Sequence, residues 1–399
     1  MKQTAEKPRI ILYQTAILFF WFAQYAYVPN LTAYAKEMGV SLTVIGMITG
    51  GYGLGQTVLR VPLGIISDRI GRRKLFVSSG FLLALIASLL FLFFDSPAMM
   101  VVARTFSGFA SATWVVATVL YSSYFKEEES PKALNKLNIF NYAGQVLSMS
   151  ISGALLLAFS GYRAMFVVAA AGAVIGFGLS LFITERVPEQ KKKAGLRDFL
   201  KIALDKRLLY LSFSMLLIQI FLQSTISGFT PILATELGAD ALMRSILGII
   251  NLVFAITGSL MNSLPAVRKI RDGIRLSISA CGFAVAAVLF PFAKSLAVLF
   301  MIQALAGFFQ GSMLAYQMGL AIRHFPGEKR ATAMGLFQTL YGLGMFVGPM
   351  ITGSLGDRFG LTVSYLVLAV LCLFMVPLDL LWEREDRRQR ETSTNTHSA

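Results

Sequence analysis

Five charged side chains stand within seven consecutive positions of a chain that is otherwise poor in charge. They lie in GIISDRIGRRK, residues 64–74, between two apolar stretches, with the spacing glycine-xxx-aspartate-arginine-x-glycine-arginine. A carboxylate near the N-terminus of a helix gains about 0.3–1 kcal/mol, and glycine permits a tight turn or a close approach. The segment therefore predicts a charged latch in a short loop. The alternative is a topology signal, in which the basic residues only hold the loop on one side of a membrane.

Two arginines, Arg60 and Arg104, stand inside apolar runs. A guanidinium at the centre of a bilayer costs at least about 2.5–3.5 kcal/mol, so an arginine there is usually functional. Both are also close enough to a membrane surface to snorkel in part. Arg60 is predicted to bind an anionic group of a solute, and Gln56 precedes it by one helical turn, within hydrogen-bonding reach on the same face.

Carboxylates are absent from the middle of the apolar runs. They fall near the ends of the runs, at Glu37, Asp95, Glu236, Asp240 and Asp357 on one side, and at Asp68, Asp272, Glu328 and Asp379 on the other. A mid-membrane carboxylate is a common proton relay, and a cationic solute would also require one. The sequence thus predicts a neutral or anionic solute. Three alternatives stay open for coupling of transport to protons: through protonation of the solute, through Glu37 or Glu236, or no coupling. His324 is interpreted as a loop residue.

The composition is that of an integral membrane protein. The chain has 399 residues, 56% of them hydrophobic and 14% charged, whereas soluble domains have about 25% charged residues. A helix needs about 20 apolar residues to cross the hydrocarbon. Twelve such runs are present, with predicted bounds 10–34, 43–67, 75–94, 98–123, 134–159, 163–184, 208–236, 243–264, 275–293, 296–322, 331–356 and 361–382.

The distribution of basic residues predicts the orientation. Most of them lie in alternate loops, and the opposite side keeps only Lys36, Arg163, Arg244, Lys294 and Arg358. By the positive-inside rule both termini are cytoplasmic, in a multi-pass protein of the cell membrane. The net charge of +15 is then explained by basic residues that face an anionic inner leaflet, and no nucleic-acid partner is predicted.

One long connection divides the runs six plus six. Its apolar residues recur at helical spacing, which predicts an amphipathic helix on the membrane surface. The predicted organisation is a six-helix bundle over 1–184, a cytoplasmic linker over 185–207, a second six-helix bundle over 208–382, and a disordered cytoplasmic tail over 383–399.

The two halves repeat one another. The segment EMGVS, between Pro29 and Gly46, corresponds to ELGAD, between Pro231 and Gly248. The matching positions, in the same order, are Pro29 and Pro231, Gly46 and Gly248, Gly108 and Gly307, Ala133 and Ala333, Gly144 and Gly344, and Gly153 and Gly353. This order predicts a duplication that produces two similar bundles around a central pathway.

Together these segments resemble the motifs of the major facilitator superfamily. RTFSGFA resembles its fourth-span motif through Arg104 and Gly108, and FPGEKRATAMG, GPMITGSLGDRFG and SGYRAMF resemble further segments of it. The loop at 64–74 resembles the signature of the superfamily through Gly64, Asp68, Arg69, Gly71, Arg72 and Arg73. The resemblance covers about residues 10–382, and the layout looks like the twelve-span drug-efflux branch. The fifth-span segment NYAGQVLSMSISG lacks the proline of the antiporter motif, however, and the loop MNSLPAVRKIRDGIR keeps only Asp272 and Gly273 of the signature.

The resemblance implies an all-α membrane protein, with twelve transmembrane helices in two pseudo-symmetric six-helix bundles. It implies that Asp68 docks at the start of the eleventh span near Arg330 when the cytoplasmic side is shut, with counter-charge from the glutamates at 127–129. Through the fourth-span motif, it gives Arg104 a role in coupling or gating. It also identifies the spans that line a solute pathway, whose polar residues are Gln24, Tyr25, Gln56, Arg60, Arg104, Asn141, Gln145, Gln223, Asn251, Gln303, Gln310, Gln338 and Tyr341. For each amide the alternative is an interhelical hydrogen bond, worth about 0.6–2 kcal/mol.

The predicted function is secondary transport of a small organic solute by alternating access, in the direction of efflux. Facilitative or proton-linked uptake of a metabolite stays open, as does a membrane sensor or scaffold without transport. The chain has no HExxH, GxSxG or GxxxxGK[ST] motif, so it is not expected to be an enzyme. No cofactor and no metal are predicted. The expected partners are the small-molecule solute and the lipid bilayer, and the expected state is a monomer.

Overall fold

The computed structural model describes residues 2–126, 129–159, 161–185 and 201–397. Within these ranges the regular structure is helical and no strand occurs. Twelve helical segments are long and apolar enough to cross a membrane, which confirms the predicted fold class. We number them span 1 to span 12: Pro8–Glu37, Leu42–Gly64, Arg73–Phe93, Pro97–Ser122, Lys132–Phe159, Arg163–Leu181, Lys206–Glu236, Ala241–Met261, Asp272–Phe292, Leu296–Ile322, Thr332–Phe359 and Leu361–Gln389. The terms inner and outer are used for the two predicted sides of the membrane.

Three spans are divided. Span 1 consists of the helices Lys2–Tyr25 and Val28–Glu37, and span 4 of Pro97–Ala112 and Trp114–Ser122. Span 7 consists of Lys206–Ser224, a π-helical turn Thr225–Phe229 and Thr230–Glu236. The breaks in spans 1 and 7 come just before Pro29 and Pro231, because proline has no N–H to donate and its ring collides with the preceding turn.

The remaining helices have these bounds: Leu42–Ile70, Arg73–Phe93, Ser130–Phe159, Arg163–Leu181, Ala241–Met261, Pro265–Arg268, Asp272–Leu289 with the 3-10 turn Phe290–Phe292, Leu296–Ile322, Gly327–Phe359, Leu361–Leu373 and Met375–His397.

The outer turns after spans 1 and 7 have the same geometry. Gly39 and Gly238 adopt φ values of 77° and 86°, which L side chains rarely reach. Gly39 N donates to Lys36 O at 3.0 Å, and Gly238 N donates to Thr235 O at 2.9 Å. The sequence match between EMGVS and ELGAD therefore reflects one turn used twice.

Packing divides the chain into two compact units. The first comprises residues 1–190 and 227–249, and the second comprises residues 191–226 and 250–399. The outer parts of spans 7 and 8 thus pack with the first unit. The predicted bundle boundaries at 184 and 208 are based on the sequence repeat and differ from the limits of these units. They stay a prediction.

Glycines of the repeat bring helix backbones into contact within the first unit. A Cβ on Gly108 of span 4 would lie 2.3 Å from the carbonyl oxygen of Tyr52 in span 2. A Cβ on Gly144 of span 5 would lie 2.2 Å from that of Leu18 in span 1. Such distances exclude any side chain, so these glycines are required for the close approach of the helices.

The second unit makes the equivalent contacts. A Cβ on Gly307 of span 10 would lie 2.4 Å from the carbonyl oxygen of Asn251 in span 8, and one on Gly344 of span 11 would lie 2.3 Å from that of Leu216 in span 7. Spans 2 and 4 therefore correspond to spans 8 and 10, and spans 1 and 5 to spans 7 and 11. The glycine pairs of the sequence repeat are thus explained by the same backbone contacts in each unit.

The C-terminal segment differs from the prediction of a disordered tail. The helix Met375–His397 continues through most of it, and it buries Trp382, Glu383 and Asp386. The polar composition of the segment suggested disorder, but its carboxylates have arginine partners elsewhere in the second unit, as described below. Residues 186–200, which contain most of the predicted amphipathic linker helix, lie outside the described residues.

Candidate functional site

The loop after span 2 is a tight turn at Gly71. This residue ends the helix Leu42–Ile70 with φ 71° and donates its N–H to Ser67 O. Arg69 and Arg72 are exposed, and Arg73, which begins the next helix, is half-buried. The predicted turn at Gly71 is therefore present. The close approach predicted at Gly64 is not, because a Cβ there would meet no atom within 4 Å.

The carboxylate of Glu185 contacts this loop. Its Oε1 accepts a hydrogen bond from Lys74 N at 3.3 Å, and Lys74 Nζ donates to Leu181 O at 2.6 Å, so the loop is attached to the end of span 6. The side chain of Asp68 and residues 127 and 128 lie outside the described residues, and Glu129 is exposed. Arg330 is exposed, and its Nε donates to Phe325 O at 3.0 Å. The latch therefore stays a prediction.

Arg104 is a buried cation in span 4. Its exposed fraction is 4%, and its NH1 donates to Ser107 Oγ at 3.3 Å. The guanidinium carbon lies 4.4 Å from the centroid of the Tyr52 ring and 5.7 Å from that of Tyr27. Its Nε has no hydrogen-bond partner, and no ion pair to Arg104 occurs among the described residues. Aromatic faces stabilise a cation by about 0.5–2 kcal/mol, less than a carboxylate at hydrogen-bonding distance supplies when both groups are desolvated.

Gln24 is paired within the same region of the first unit. Its Nε2 donates to Ser107 O at 3.0 Å and to Ser111 Oγ at 3.1 Å, and its Oε1 accepts from Ser107 Oγ at 2.6 Å. Tyr27 OH donates to Ser107 Oγ at 2.9 Å. The interhelical hydrogen bond that was the alternative for each amide thus describes Gln24, and this network holds the helix that carries Arg104.

Two predicted pairs of polar residues are local to one helix. Arg60 NH2 donates to Gln56 Oε1 at 2.5 Å, which confirms the predicted hydrogen bond on one face of span 2. In span 5, Gln145 Nε2 donates to Asn141 Oδ1 at 2.6 Å, and both residues are buried.

The other predicted site residues are spread over both units. The ring centroids of Tyr25 and Trp21 are 5.9 Å apart. Gln223 is buried next to the π-helical turn of span 7. Gln338 and Tyr341 are half-buried in span 11.

Three predicted site residues of the second unit are amides of spans 8 and 10. Gln303 is fully buried, Asn251 is 5% exposed, and Gln310 is half-buried. Both amide atoms of Gln303, Nδ2 of Asn251 and Oε1 of Gln310 have no hydrogen-bond partner. Farther along span 10, Gln317 Nε2 donates to Leu211 O at 3.2 Å. Span 10 therefore carries both an amide that ties helices together and amides with unmade hydrogen bonds.

A polar cluster at the outer side of the first unit was not predicted. Arg244 at the start of span 8 is 5% exposed. It donates from Nε to Asn30 Oδ1 at 2.7 Å, from NH1 to Thr235 Oγ1 at 3.0 Å, and from NH2 to Tyr162 OH at 3.1 Å. Tyr162 OH in turn donates to Glu37 Oε1. We call these five residues the outer cluster. The signals in the sequence were Arg244, a basic residue on the side that the positive-inside rule leaves poor in charge, and Glu37, which was considered for coupling.

Ionisable groups at this outer side have shifted pKa values. Burial and the hydrogen bond to the Glu37 carboxylate raise the pKa of Tyr162 to about 12, so its hydroxyl stays a donor. Next to it, Asp95 accepts from Arg163 NH2 at 2.7 Å and from Tyr34 OH at 3.1 Å, and these bonds hold the pKa of Asp95 below its ordinary value.

A second cluster of charges lies at the inner side of the second unit. Arg323 pairs with Asp272 at 2.9 Å and with Asp386 at 3.1 Å, and Arg271 pairs with Glu383 at 2.7 Å. These contacts hold the C-terminal helix against spans 9 and 10. The degenerate copy of the signature in the loop after span 8 thus keeps a paired aspartate at 272.

The beginning of span 7 adds a histidine contact to this inner side. His324 Nε2 lies 3.3 Å from Asp205 Oδ1, and Asp205 also accepts from Leu208 N at 3.0 Å. Burial raises the pKa of Asp205, but the contacts with His324, the Leu208 N–H and Arg207 outweigh burial and hold it below its ordinary value.

Asp379 is a fully buried carboxylate inside span 12, and it has no cationic partner among the described residues. Its Oδ1 accepts from Ser214 Oγ at 2.8 Å, and its Oδ2 has no hydrogen-bond partner. The sequence predicts Asp379 at the inner edge of its span, since position along an apolar run does not reveal how deeply the neighbouring helices enclose a side chain. No group of residues suited to hold a metal ion occurs in the described part of the chain.

Comparison with known proteins agrees with this architecture. A model of the Major Facilitator Superfamily matches residues 15–271 and 271–398. The inner membrane transport protein YajR of Escherichia coli is 25% identical over 83% of this chain and 73% of that protein. For a putative tartrate transporter of Agrobacterium vitis the identity is 26%, over 91% of this chain and 87% of that protein. For a probable sugar efflux transporter of Pasteurella multocida it is 23%, over 94% and 91%.

Among solved structures, a bacterial homologue of the human lysosomal transporter Spinster superimposes with a TM-score of 0.76. The two chains share 15% sequence identity, and the match covers 95% of this chain and 97% of that one. At this identity the likeness shows the fold alone.

Proposed function

The chain belongs to the major facilitator superfamily and is a membrane transporter of that type, and we propose that it moves a small organic anion by alternating access. A neutral solute is the second choice within the same mechanism. The direction proposed is efflux, supported by the relative from Pasteurella multocida that is named for sugar efflux. The drug-efflux branch remains a proposal on the motif resemblance alone, since the relatives described above are not named for drugs.

Arg104 is the observation that carries the choice of an anion. It is 4% exposed inside an apolar span, and no carboxylate pairs with it among the described residues. A buried charge without a counter-charge is expensive, and an arginine in a membrane span is a functional residue by default. A carboxylate or phosphate on the solute supplies the missing counter-charge through charge-assisted hydrogen bonds. Arg60, whose NH2 bonds to Gln56, is proposed to assist.

The outer cluster is proposed as the outer gate of the transport cycle. It joins the end of span 1 to the beginning of span 8 through a buried arginine with several hydrogen bonds. The inner gate is proposed to be the loop at 64–74, with Asp68 as its docking carboxylate and Arg69, Arg72 and Arg73 as its basic partners.

Asp379 favours a proton-linked variant of the same function. It is a fully buried carboxyl group with one unmade hydrogen bond, and such groups in membrane spans commonly exchange protons. Proton-linked uptake of a metabolite is therefore the second candidate function. A sensor or scaffold without transport is the third, and it predicts no solute flux at all.

The test is transport into proteoliposomes that contain the purified chain. Tartrate, gluconate, xylitol and a cationic dye are offered in parallel, with and without an imposed pH gradient. We expect flux of the organic acids and no flux of the dye. Arg104→Gln is expected to lower the flux of the acids by about tenfold or more, since one charge-assisted hydrogen bond is worth about 1.5–3 kcal/mol.

The matched control is Arg268→Gln, because Arg268 is exposed in the loop after span 8 and its change is expected to leave the flux unaltered. Stimulation of flux by the pH gradient would support the proton-linked variant. Flux of the dye alone, or equal acid flux in wild type and Arg104→Gln, would contradict the proposal of an anionic solute. No flux of any solute would favour the sensor or scaffold.

A further inference from the structure

Gln303 is enclosed in the second unit, and its side chain makes no hydrogen bond to any described residue. It is 0% exposed, and neither its Oε1 nor its Nε2 has a partner. A buried amide normally bonds through both its oxygen and its nitrogen, and each exception requires an explanation. Within a membrane span, lipid does not supply the missing partners.

Asn251 lies near the same contact between spans 8 and 10. Its carbonyl oxygen is the atom that a Cβ on Gly307 would meet at 2.4 Å, and Gly307 follows Gln303 by one helical turn. Asn251 is 5% exposed, and its Nδ2 has no partner. Gln310 is two turns from Gln303 on the same face of span 10, and its Oε1 has no partner. We call Asn251, Gln303 and Gln310 the amide cluster.

Other buried amides behave differently from the amide cluster. Gln24 bonds through both amide atoms to span 4. Gln317 donates from Nε2 to a backbone carbonyl of span 7, and its Oε1 has no partner among the described residues. These residues tie helices together, which is the common use of an amide in a membrane protein. The amide cluster offers two donor groups and two acceptor groups that tie no helices together, and a bound group is the explanation that satisfies them.

The internal repeat gives the amide cluster a counterpart. Gly108 contacts the backbone of Tyr52 as Gly307 contacts that of Asn251, and Arg104 precedes Gly108 as Gln303 precedes Gly307. The position that carries a cation in the first unit therefore carries a neutral amide in the second. A neutral amide cannot neutralise an acidic group, but it both donates to and accepts from a hydroxyl group.

We propose that the amide cluster binds hydroxyl groups of the transported solute, so that the substrate class is hydroxylated organic acids. This inference rests on the proposed transport of an organic anion and names the class of anion. Because Gln303 is fully buried, spans 8 and 10 admit the hydroxyl groups only when their surroundings open during the transport cycle. The relative from Agrobacterium vitis named as a putative tartrate transporter agrees with this class.

The experiment compares two acids that differ only in their hydroxyl groups. Tartrate and succinate have the same carbon chain and the same two carboxylates, and tartrate alone carries two hydroxyls. The rates of uptake at low concentration are measured in proteoliposomes for wild type, Gln303→Leu and Asn251→Leu. A site built to bond hydroxyls rejects the analogue that lacks them, so we expect wild type to prefer tartrate by about tenfold or more.

In Gln303→Leu and Asn251→Leu, the uptake of tartrate is expected to fall to the level of succinate, with succinate uptake retained. Gln317→Leu is the matched control on the same helix. It removes the bond to Leu211, so it is expected to lower thermal stability and to keep the preference for tartrate. Protection of the purified chain against heat by each acid, measured for every variant, gives a second readout if a leucine variant transports poorly.

The outcomes separate this inference from the proposed function. Equal uptake of tartrate and succinate by wild type, or an unchanged preference in Gln303→Leu, would show that the amides bind ordered water only, and would overturn the inference. In that case a loss of both acids in Arg104→Gln would still support an anionic solute. Uptake of neither acid by wild type, together with no uptake of gluconate, would overturn both proposals.

Discussion

Two buried arginines of the first unit differ in how completely their guanidinium groups are hydrogen-bonded. Arg244 donates hydrogen bonds to Asn30, Thr235 and Tyr162 at 2.7–3.1 Å. The Tyr162 hydroxyl in turn donates to the carboxylate of Glu37. Among the described residues, Arg104 donates to Ser107 alone, and its guanidinium faces aromatic rings. A fully bonded buried charge favours one conformation, whereas an incompletely bonded one favours a ligand. We therefore interpret Arg244 as part of a gate and Arg104 as part of a binding site.

At the residue scale, Arg244→Gln is expected to open the outer side. Each hydrogen bond to a charged group contributes about 1.5–3 kcal/mol, and each 1.4 kcal/mol lost raises the open population about tenfold. The probe is Ser152→Cys, in a background whose two native cysteines are replaced. Ser152 is fully buried, and it adjoins Gly153, whose Cβ would lie 2.6 Å from Ser245 Oγ. Reaction with a membrane-impermeant maleimide from the outer side is the measurement.

Arg163→Gln is the control for this change. Arg163 pairs with Asp95 at 2.7 Å, but both side chains are largely exposed, at 68% and 46%. Exposed ion pairs contribute about 0–1 kcal/mol, so labelling is expected to change little. If Arg244→Gln is labelled no faster than the parent, the outer cluster does not act as a gate.

At the scale of the elements, close backbone contacts fix which helices are neighbours. The glycine contacts of spans 2 and 4 recur in spans 8 and 10, and those of spans 1 and 5 recur in spans 7 and 11. Helix association in a bilayer depends on packing, because lipid is as apolar as the helix surface. The glycines thus position Arg104 in the first unit and the amide cluster in the second.

The element-scale prediction is that Gly307→Ala impairs both stability and transport. The added Cβ would lie 2.4 Å from the Asn251 carbonyl oxygen, so spans 8 and 10 must move apart, at a cost of about 1–3 kcal/mol. The midpoint of thermal unfolding in detergent and the rate of uptake are both expected to fall.

Gly178→Ala is the matched control in span 6, where a Cβ would meet no atom within 4 Å. Alanine there is expected to leave transport unchanged, and to stabilise the helix by about 0.5–1 kcal/mol. Equal unfolding midpoints for the two alanine variants would contradict the packing role of Gly307.

At the scale of the whole molecule, the charge of +15 is an orientation signal. Basic residues that flank the spans stay on the cytoplasmic side during insertion, and an anionic leaflet attracts them. The prediction is that both termini are cytoplasmic.

Fusions to the C-terminus test this orientation. We expect a C-terminal green fluorescent protein to fluoresce and a C-terminal alkaline phosphatase to be inactive, since each reporter functions on one side of the membrane only. The same pair of reporters placed after Lys294, in the predicted outer loop before span 10, is expected to give the reverse. Active phosphatase at the C-terminus would refute the orientation.

The number of spans, the repeat and the family could be predicted from the sequence alone. These follow from local patterns, because the thickness of the hydrocarbon sets the length of an apolar run, and a proline or glycine acts where it stands. Pro29 and Pro231 predicted equivalent positions that are helix breaks in the structure, and the pair Gln56 and Arg60 was predicted correctly because its members are one helical turn apart.

Which polar groups have partners depends on how the helices pack, and this could not be predicted from the sequence. Gln24 and Gln303 are alike in the sequence, as glutamines in apolar runs, but one is fully bonded and the other has no bond. The outer cluster and the buried C-terminal carboxylates likewise depend on residues far apart in the chain. The partner of a side chain depends on the rotation and register of helices that are distant in sequence, and neither quantity is encoded in the hydropathy of a single run.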